Sequence, residues 1–213
     1  MREFYQAATA SGMLDLNEAL IDAAGDGKAE TIRALLDGGA DVHAGNEWAE
    51  KDAALCAASL EGNLEIVKIL LAAGADVNAD SGRPLLRAAD NMRHVDSDDI
   101  DWCDLPRAER KRVRKLRDSW SAATVKVLLK AGADVHHASE YGQGRDKALL
   151  RAAWCGHTKT VKVLLDAGAD QHWLAGEEAT RAPHRNEFEK EIMKLLRKDA
   201  LKKGIIPYPE RYR

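Results

Sequence analysis

Four groupings of side chains in this sequence have the right types to do chemistry. Gly25-Asp26-Gly27-Lys28 has the glycines and lysine of a loop that wraps a phosphate in backbone N–H groups. Such a loop also needs an earlier glycine and a hydroxyl after the lysine to hold a metal; the glycine is missing and Ala29 stands where the hydroxyl belongs. Helix punctuation is the simpler reading. Cys155 with His157, and His94 with Cys103, each bring two metal ligands, whereas a stable zinc site takes four, or three and a water. No metal and no other cofactor is expected. No paired carboxylates and no Ser-His-Asp or Cys-His set has a spacing that points to acid–base or nucleophilic catalysis, although such sites assemble from distant residues. The chain reads as a non-enzyme.

The fourth grouping is electrostatic. Arg107, Arg110, Lys111, Arg112, Arg114, Lys115 and Arg117 follow an acidic stretch of Asp96, Asp98, Asp99, Asp101 and Asp104. A basic row of this density grips phosphates, and such a grip shows as steep salt dependence. It serves equally as a docking helix for a protein, and charge runs are most often solvated or self-neutralising. All three readings stay open. The whole chain, with 32 basic against 35 acidic side chains, has a formal charge of −3 and no general attraction for a polyanion.

The elements that must position these groups come from self-similarity. Gly39-Ala40-Asp41-Val42, Gly74-Ala75-Asp76-Val77, Gly132-Ala133-Asp134-Val135 and Gly168-Ala169-Asp170 each follow a Leu-Leu pair, and their glycines lie 35, 58 and 36 residues apart. Upstream sit small-residue pairs: Ala23-Ala24, Ala58-Ser59, Ala88-Ala89 and Ala152-Ala153. From the second member of each pair to the glycine the counts are 15, 15, 43 and 15, so 28 extra residues belong to the third unit. Each unit reads as two short helices. The first stops at Gly27, Gly62 or Gly156, where a left-handed residue ends a helix. The second, over Leu64 to Ala73 for example, puts Ile66, Val67, Leu70 and Leu71 on one face. Neither helix can bury that face alone; stacking buries it.

These residues resemble the ankyrin repeat, whose pattern runs through an Ala-Ala pair, Gly-His, a Val-Val-Lys-Leu-Leu helix and Gly-Ala-Asp-Val-Asn. Gly62 to Leu71 and Gly156 to Leu165 match it closely. The resemblance implies an all-α solenoid of stacked helix-turn-helix units with short hairpin loops. The expected division is an N-terminal cap at 1–16, repeats at 17–45, 46–80, 81–138 and 139–174, a C-terminal cap at 175–204 and a tail at 205–213. The insertion falls at about 92–119, with a helix from about Leu105 to Leu129 that begins beside Pro106, is capped by Asp104 and projects beyond the stack. Removing residues 93–118 is expected to cut only a turn. The final helix carries Phe188, Ile192, Leu195 and Leu196 behind an Asn186–Glu189 capping box. The family's Thr-Pro-Leu-His opening is replaced throughout, as in Ala53-Ala54-Leu55-Cys56, so order between repeats is expected to depend more on packing than on hydrogen bonds.

The resemblance also implies a binding protein that meets another protein with its hairpin tips and the exposed side of its first helices. The matching positions beside the small pairs include Leu60, Arg87, Asp90, Arg151 and Trp154, and the tips include Glu47, Trp48, Tyr141 and Arg145. Exposed Trp, Tyr and Arg are the commonest anchors of interfaces. The expected partner is a folded protein, with stoichiometric inhibition or antagonism as the sharper form. The alternative is a nucleic-acid-associated protein using Arg110, Lys111, Arg112 and Arg114. No apolar stretch approaches the ~20 residues of a membrane span, the N-terminus lacks a basic start with an apolar run, and the cysteines are three. A cytoplasmic monomer is expected.

Overall fold

The computed structural model of the chain describes residues 15–45, 51–90, 106–136, 146–170 and 187–204. Among them are nine helices and no strand: α1 (Leu16–Asp26), α2 (Ala29–Gly38), α3 (Ala53–Glu61), α4 (Leu64–Ala72), α5 (Ala79–Asp90), α6 (Arg107–Lys130), α7 (Lys147–Trp154), α8 (Thr158–Asp166) and α9 (Glu187–Lys202). The first eight pair in order, and the first helices α1, α3, α5 and α7 lie side by side. This is the stack of helix-turn-helix units that the repeats predict.

Local sequence fixes the ends. The Asp15 carboxylate accepts the Asn17 and Glu18 N–H groups at 2.8 and 3.3 Å, capping α1. Gly27, Gly62 and Gly156 have φ of 80°, 67° and 75°, the left-handed backbone that stops each first helix. Within α5 the residues Asp80, Ser81 and Gly82 are left-handed, so the regular helix starts after them and Pro84 falls in its first turn, where a missing N–H is harmless.

Small side chains then let the first helices approach. Ala23, Ala24, Ala58, Ser59, Ala88, Ala89 and Ala152 are buried, and Leu20, Leu55, Leu85 and Leu149, each three residues ahead of a pair, fill the space between the layers. The second helices contribute Ile32 and Leu35, Ile66 and Leu70, Val125 and Leu128, Val161 and Leu164. Full burial of one such side chain is worth about 1.5–3 kcal/mol, much of which a lone unit would not gain. At the C-terminal end α9 closes the stack with Ile192, Leu196 and Ala200, and packs on α8. Phe188, the Asn186 cap and the Asp104 cap lie outside the described residues or side chains.

Two expectations are corrected. Order between repeats is not left to packing. Across repeats, Asn63 Nδ2 donates to the Ala24 and Gly25 carbonyls at 3.0 and 3.1 Å, the His43 ring meets Asp52 Oδ1 at 3.0 Å, Asn78 Oδ1 accepts the Asp134 N–H at 2.8 Å and Arg151 donates to Asp90 at 2.8 Å; within a repeat, Asn17, Asp52 and Asp146 accept the N–H groups of Asp41, Asp76 and Asp170. The aspartates of three Gly-Ala-Asp copies turn back on the N–H two residues on, at 2.9 Å each. Hydrogen bonds thus stitch the hairpins in place of the family's Thr and His. Nor is the stretch 93–118 only a turn, because its last residue, Asp118, is buried on α6 and accepts N–H groups of the next repeat.

Candidate partner-binding face

The last four carbonyls of a helix have no partner within it, and the stack uses them as handles. Asn63 Nδ2 donates to the Ala24 and Gly25 carbonyls at 3.0 and 3.1 Å. The His157 ring, at the matching position two repeats on, meets the Ala89 carbonyl through Nδ1 at 3.1 Å. A carbonyl only accepts, so Nδ1 carries the proton. Burial of this ring, which is 2% exposed, lowers its pKa below the usual 6.5, against a smaller upward pull from that hydrogen bond.

The insertion alters this join in the third repeat. In the regular repeats a backbone N–H from the inter-helix turn reaches the first carbonyl of the small pair: Lys28 to Ala23, Asn63 to Ala58 and His157 to Ala152, at 2.9–3.0 Å. Position 121 instead lies inside the 24-residue helix α6, and its side chain takes over, Ser121 Oγ donating to the Ala88 carbonyl at 2.6 Å. One turn earlier, Asp118 accepts the Lys159 N–H at 2.9 Å on each oxygen and the Thr160 N–H at 3.1 Å. The helix α8, whose own flanking residue His157 makes no side-chain cap, is therefore capped from α6. A signal for this existed in the sequence, an acidic residue one helical turn before Ser121, but it was hidden in the charge run.

The exposed side of the first helices carries several of the expected contact residues. Trp154 ends α7 with 54% of its surface exposed. Three residues back, Arg151 Nη2 donates to Asp90 Oδ2 at 2.8 Å; one residue on, the Cys155 thiol donates to Asp90 Oδ1 at 3.4 Å. Burial first, and the neighbouring Asp90 carboxylate second, push that thiol up to about 12, so it is a protonated donor and not a nucleophile. Asp90 departs from the expectation of an exposed contact. It is 9% exposed, with both oxygens spent on fastening the end of α7 to α5, as a desolvated carboxylate requires. Arg87 and Leu60 are half-buried on the same side. Glu47, Trp48, Tyr141 and Arg145 lie outside the described residues.

On α6, Lys111, Arg112 and Lys115 are exposed and Arg110 and Arg114 half-buried; Leu116 and Trp120, four residues apart, are 44% and 38% exposed. Pro106 stands at the N-cap, and the helix begins at Arg107. At the Gly25-Asp26-Gly27-Lys28 turn, Lys28 Nζ closes on Asp26 at 2.6 Å around a left-handed Gly27, which is helix termination. Among the described residues no three His, Cys, Asp or Glu side chains converge as metal ligands, and no helix is long and apolar enough to cross a membrane.

The family model of ankyrin repeats, in three copies, matches residues 11–97. That span takes in the first two helix pairs and α5, and the same carbonyl handles, Asp-turns and buried small pairs continue to Asp170. The chain carries ankyrin repeats. Ankyrin repeats are generally protein–protein interaction modules, typically without catalysis. No curated protein matches the chain.

Proposed function

We propose that this protein is a non-catalytic binder that holds a folded protein against the exposed side of α1, α3, α5 and α7 and its hairpin tips, and acts by occupying that partner, as a stoichiometric inhibitor or antagonist does. It works as a cytoplasmic monomer. The observation that carries the reading is Trp154. A ring 54% exposed is a large apolar surface left to water, and the residues around it, Arg151 and Cys155, are both tied to Asp90. An exposed aromatic on a fastened helix end is preorganised, and little conformational entropy is lost when it is covered.

The test is Trp154→Ala in the full chain. Proteins recovered with the wild type by crosslinking in its native cell should be lost with the variant, while the melting temperature moves by less than about 2 °C, as expected for a surface truncation. A large fall in melting temperature with recovery unchanged overturns the reading. The nucleic-acid alternative has the exposure of Lys111, Arg112 and Lys115 in its favour. It stands only if binding to duplex or single strands falls steeply with salt and is lost when Arg110, Lys111, Arg112 and Arg114 are neutralised together.

A further inference from the structure

The exposed side of the first helices carries rows of like charge at i, i+4 spacing, and the sign changes along the stack. On α1 the row is Glu18, Asp22 and Asp26; on α3 Ala57 matches Asp22 and Glu61 matches Asp26, while Ala53, in the place of Glu18, is buried; on α5 the places hold Arg83 and Arg87, and on α7 Lys147 and Arg151. Glu18, Asp22, Asp26 and Lys147 are exposed. The change runs through the chain around them: from Asp15 to Asp90 there are 15 acidic and 6 basic side chains, from Asn91 to Asp170 there are 12 and 15. The near-neutral total conceals this polarity.

Helix stability does not account for these rows. Like charges at i, i+4 repel by a few tenths of a kcal/mol per pair. Asp26 sits in the last turn of α1 and Lys147 in the first turn of α7, each at the end where the helix dipole disfavours its sign. Lys28 takes up the charge of Asp26 and Asp90 that of Arg151; the charges of Glu18, Asp22 and Lys147 on this face point to a use outside their own helices. Ala57 and Leu60 between the two ends are partly exposed and uncharged, and Trp154 lies at the basic end.

We propose that this face takes a polypeptide segment of segregated charge, basic where it crosses α1, apolar over Ala57 and Leu60, and acidic beside Lys147, with an apolar side chain on Trp154. The inference rests on the binding face proposed above and specifies its partner's chemistry. Neighbouring helices pack 8–10 Å apart, so the three steps from α1 to α7 span about 24–30 Å, the length of a helix of about 16–20 residues. Opposite polarity on the segment sets its direction along the stack, because the reversed placement puts acid on acid and base on base.

The test uses the full chain and two labelled helical peptides of about 20 residues with identical composition. One has Lys and Arg at one end, Glu at the other and Leu and Tyr between; the other has the charges interspersed. Fluorescence anisotropy at about 50 mM salt should show the segregated peptide binding at least tenfold more tightly, with the preference shrinking towards unity at about 0.5 M, where screening is short-ranged. Glu18→Lys with Asp22→Lys, and separately Lys147→Glu, should each remove most of the preference while the unfolding midpoint holds. Equal affinity for the two peptides, or a preference that survives both charge reversals, overturns the proposal. So does a dimer of the protein at low salt that these reversals dissolve, since a second copy would then be the occupant. If the peptides bind alike but Trp154→Ala still releases the cellular partner, the polarity is wrong and the face stands; if Trp154→Ala releases nothing, the face itself is wrong.

Discussion

His157 offers the sharpest perturbation, because the stack contains its own control. Its ring is buried, its Nδ1–H holds the Ala89 carbonyl at 3.1 Å, and Asn63 does the same work on Ala24 and Gly25 at 3.0 and 3.1 Å. His157→Ala removes a buried ring and orphans a buried carbonyl, which costs about 1–3 kcal/mol for the carbonyl alone. With the lost packing the total should be about 2–4 kcal/mol. His157→Asn should recover all but about 1 kcal/mol, since the amide reaches the same acceptor in the second repeat.

The pH dependence separates the two states of the ring. Burial lowers the folded pKa of His157 below the 6.5 of an unfolded chain; Asp118 and Asp90 pull it upward and Arg117 downward, each less than burial does. Below 6.5 the unfolded chain binds a proton that the folded chain resists, so stability rises with pH in that window. The contribution is fully present above about 6.5 and is lost as pH falls towards the folded value, by at most one proton's worth, about 1.4 kcal/mol per pH unit. Urea unfolding of wild type and His157→Asn at pH 7.5, 6.5 and 5.5 reads the difference directly, with the other six histidines common to both. The wild type should lose more on acidification. Parallel curves for the two proteins, or an alanine variant within about 0.5 kcal/mol of wild type, would refute the reasoning.

Three further outcomes follow from the same hydrogen bonds. Asp118→Ala should destabilise the chain by about 2–3 kcal/mol, since it removes the charged cap on α8 and leaves its first N–H groups unpaired; amide exchange at Lys159 and Thr160 should accelerate, and unchanged protection there would contradict the cap. Desolvation raises the pKa of Asp146, so its buried charge opposes folding once pH rises through the folded value. Asp146→Asn should therefore be neutral or stabilising by up to about 1 kcal/mol at pH 7, as Asn17 and Asn78 accept the equivalent N–H, whereas Asp146→Ala should destabilise; an asparagine variant as weak as the alanine would count against this. Ser59 Oγ is buried with no hydrogen-bond partner among the described residues where the other repeats have alanine, so Ser59→Ala should gain about 0.5–1 kcal/mol in chemical denaturation.

The repeats were legible because stacking demands the same residues at the same places: leucine three before each small pair, glycine where a helix must stop, aspartate where a turn folds back. Those demands are local and recur, so one copy predicts the next. What escaped was set between residues far apart in the chain, within a unit or across two. Asn17, Asn78 and Asp146 hold a neighbouring backbone N–H across 24 or 56 positions, and nothing in their own surroundings marks them. Asp90 was placed on the exposed side by its register beside Ala89, correctly for the backbone, but the register says nothing of Arg151 and Cys155 closing over it. Asp118 directly follows the basic row in sequence, but its carboxylate belongs to the helix after next.

The same distinction bears on what the insertion does. A helix that only projected would add charge to the surface and leave the repeats alone. Here the chain enters α6 from the N-terminal side as one continuous helix, and two adaptations follow from that: Ser121 supplies by side chain the bond that a turn supplies elsewhere, and Asp118 caps α8. The basic stretch is thereby rigidly connected to the fourth repeat, the one that carries Trp154. A partner that touched Arg112 or Lys115 while covering Trp154 would engage two parts of one hydrogen-bonded unit, which raises the effective concentration of the second contact.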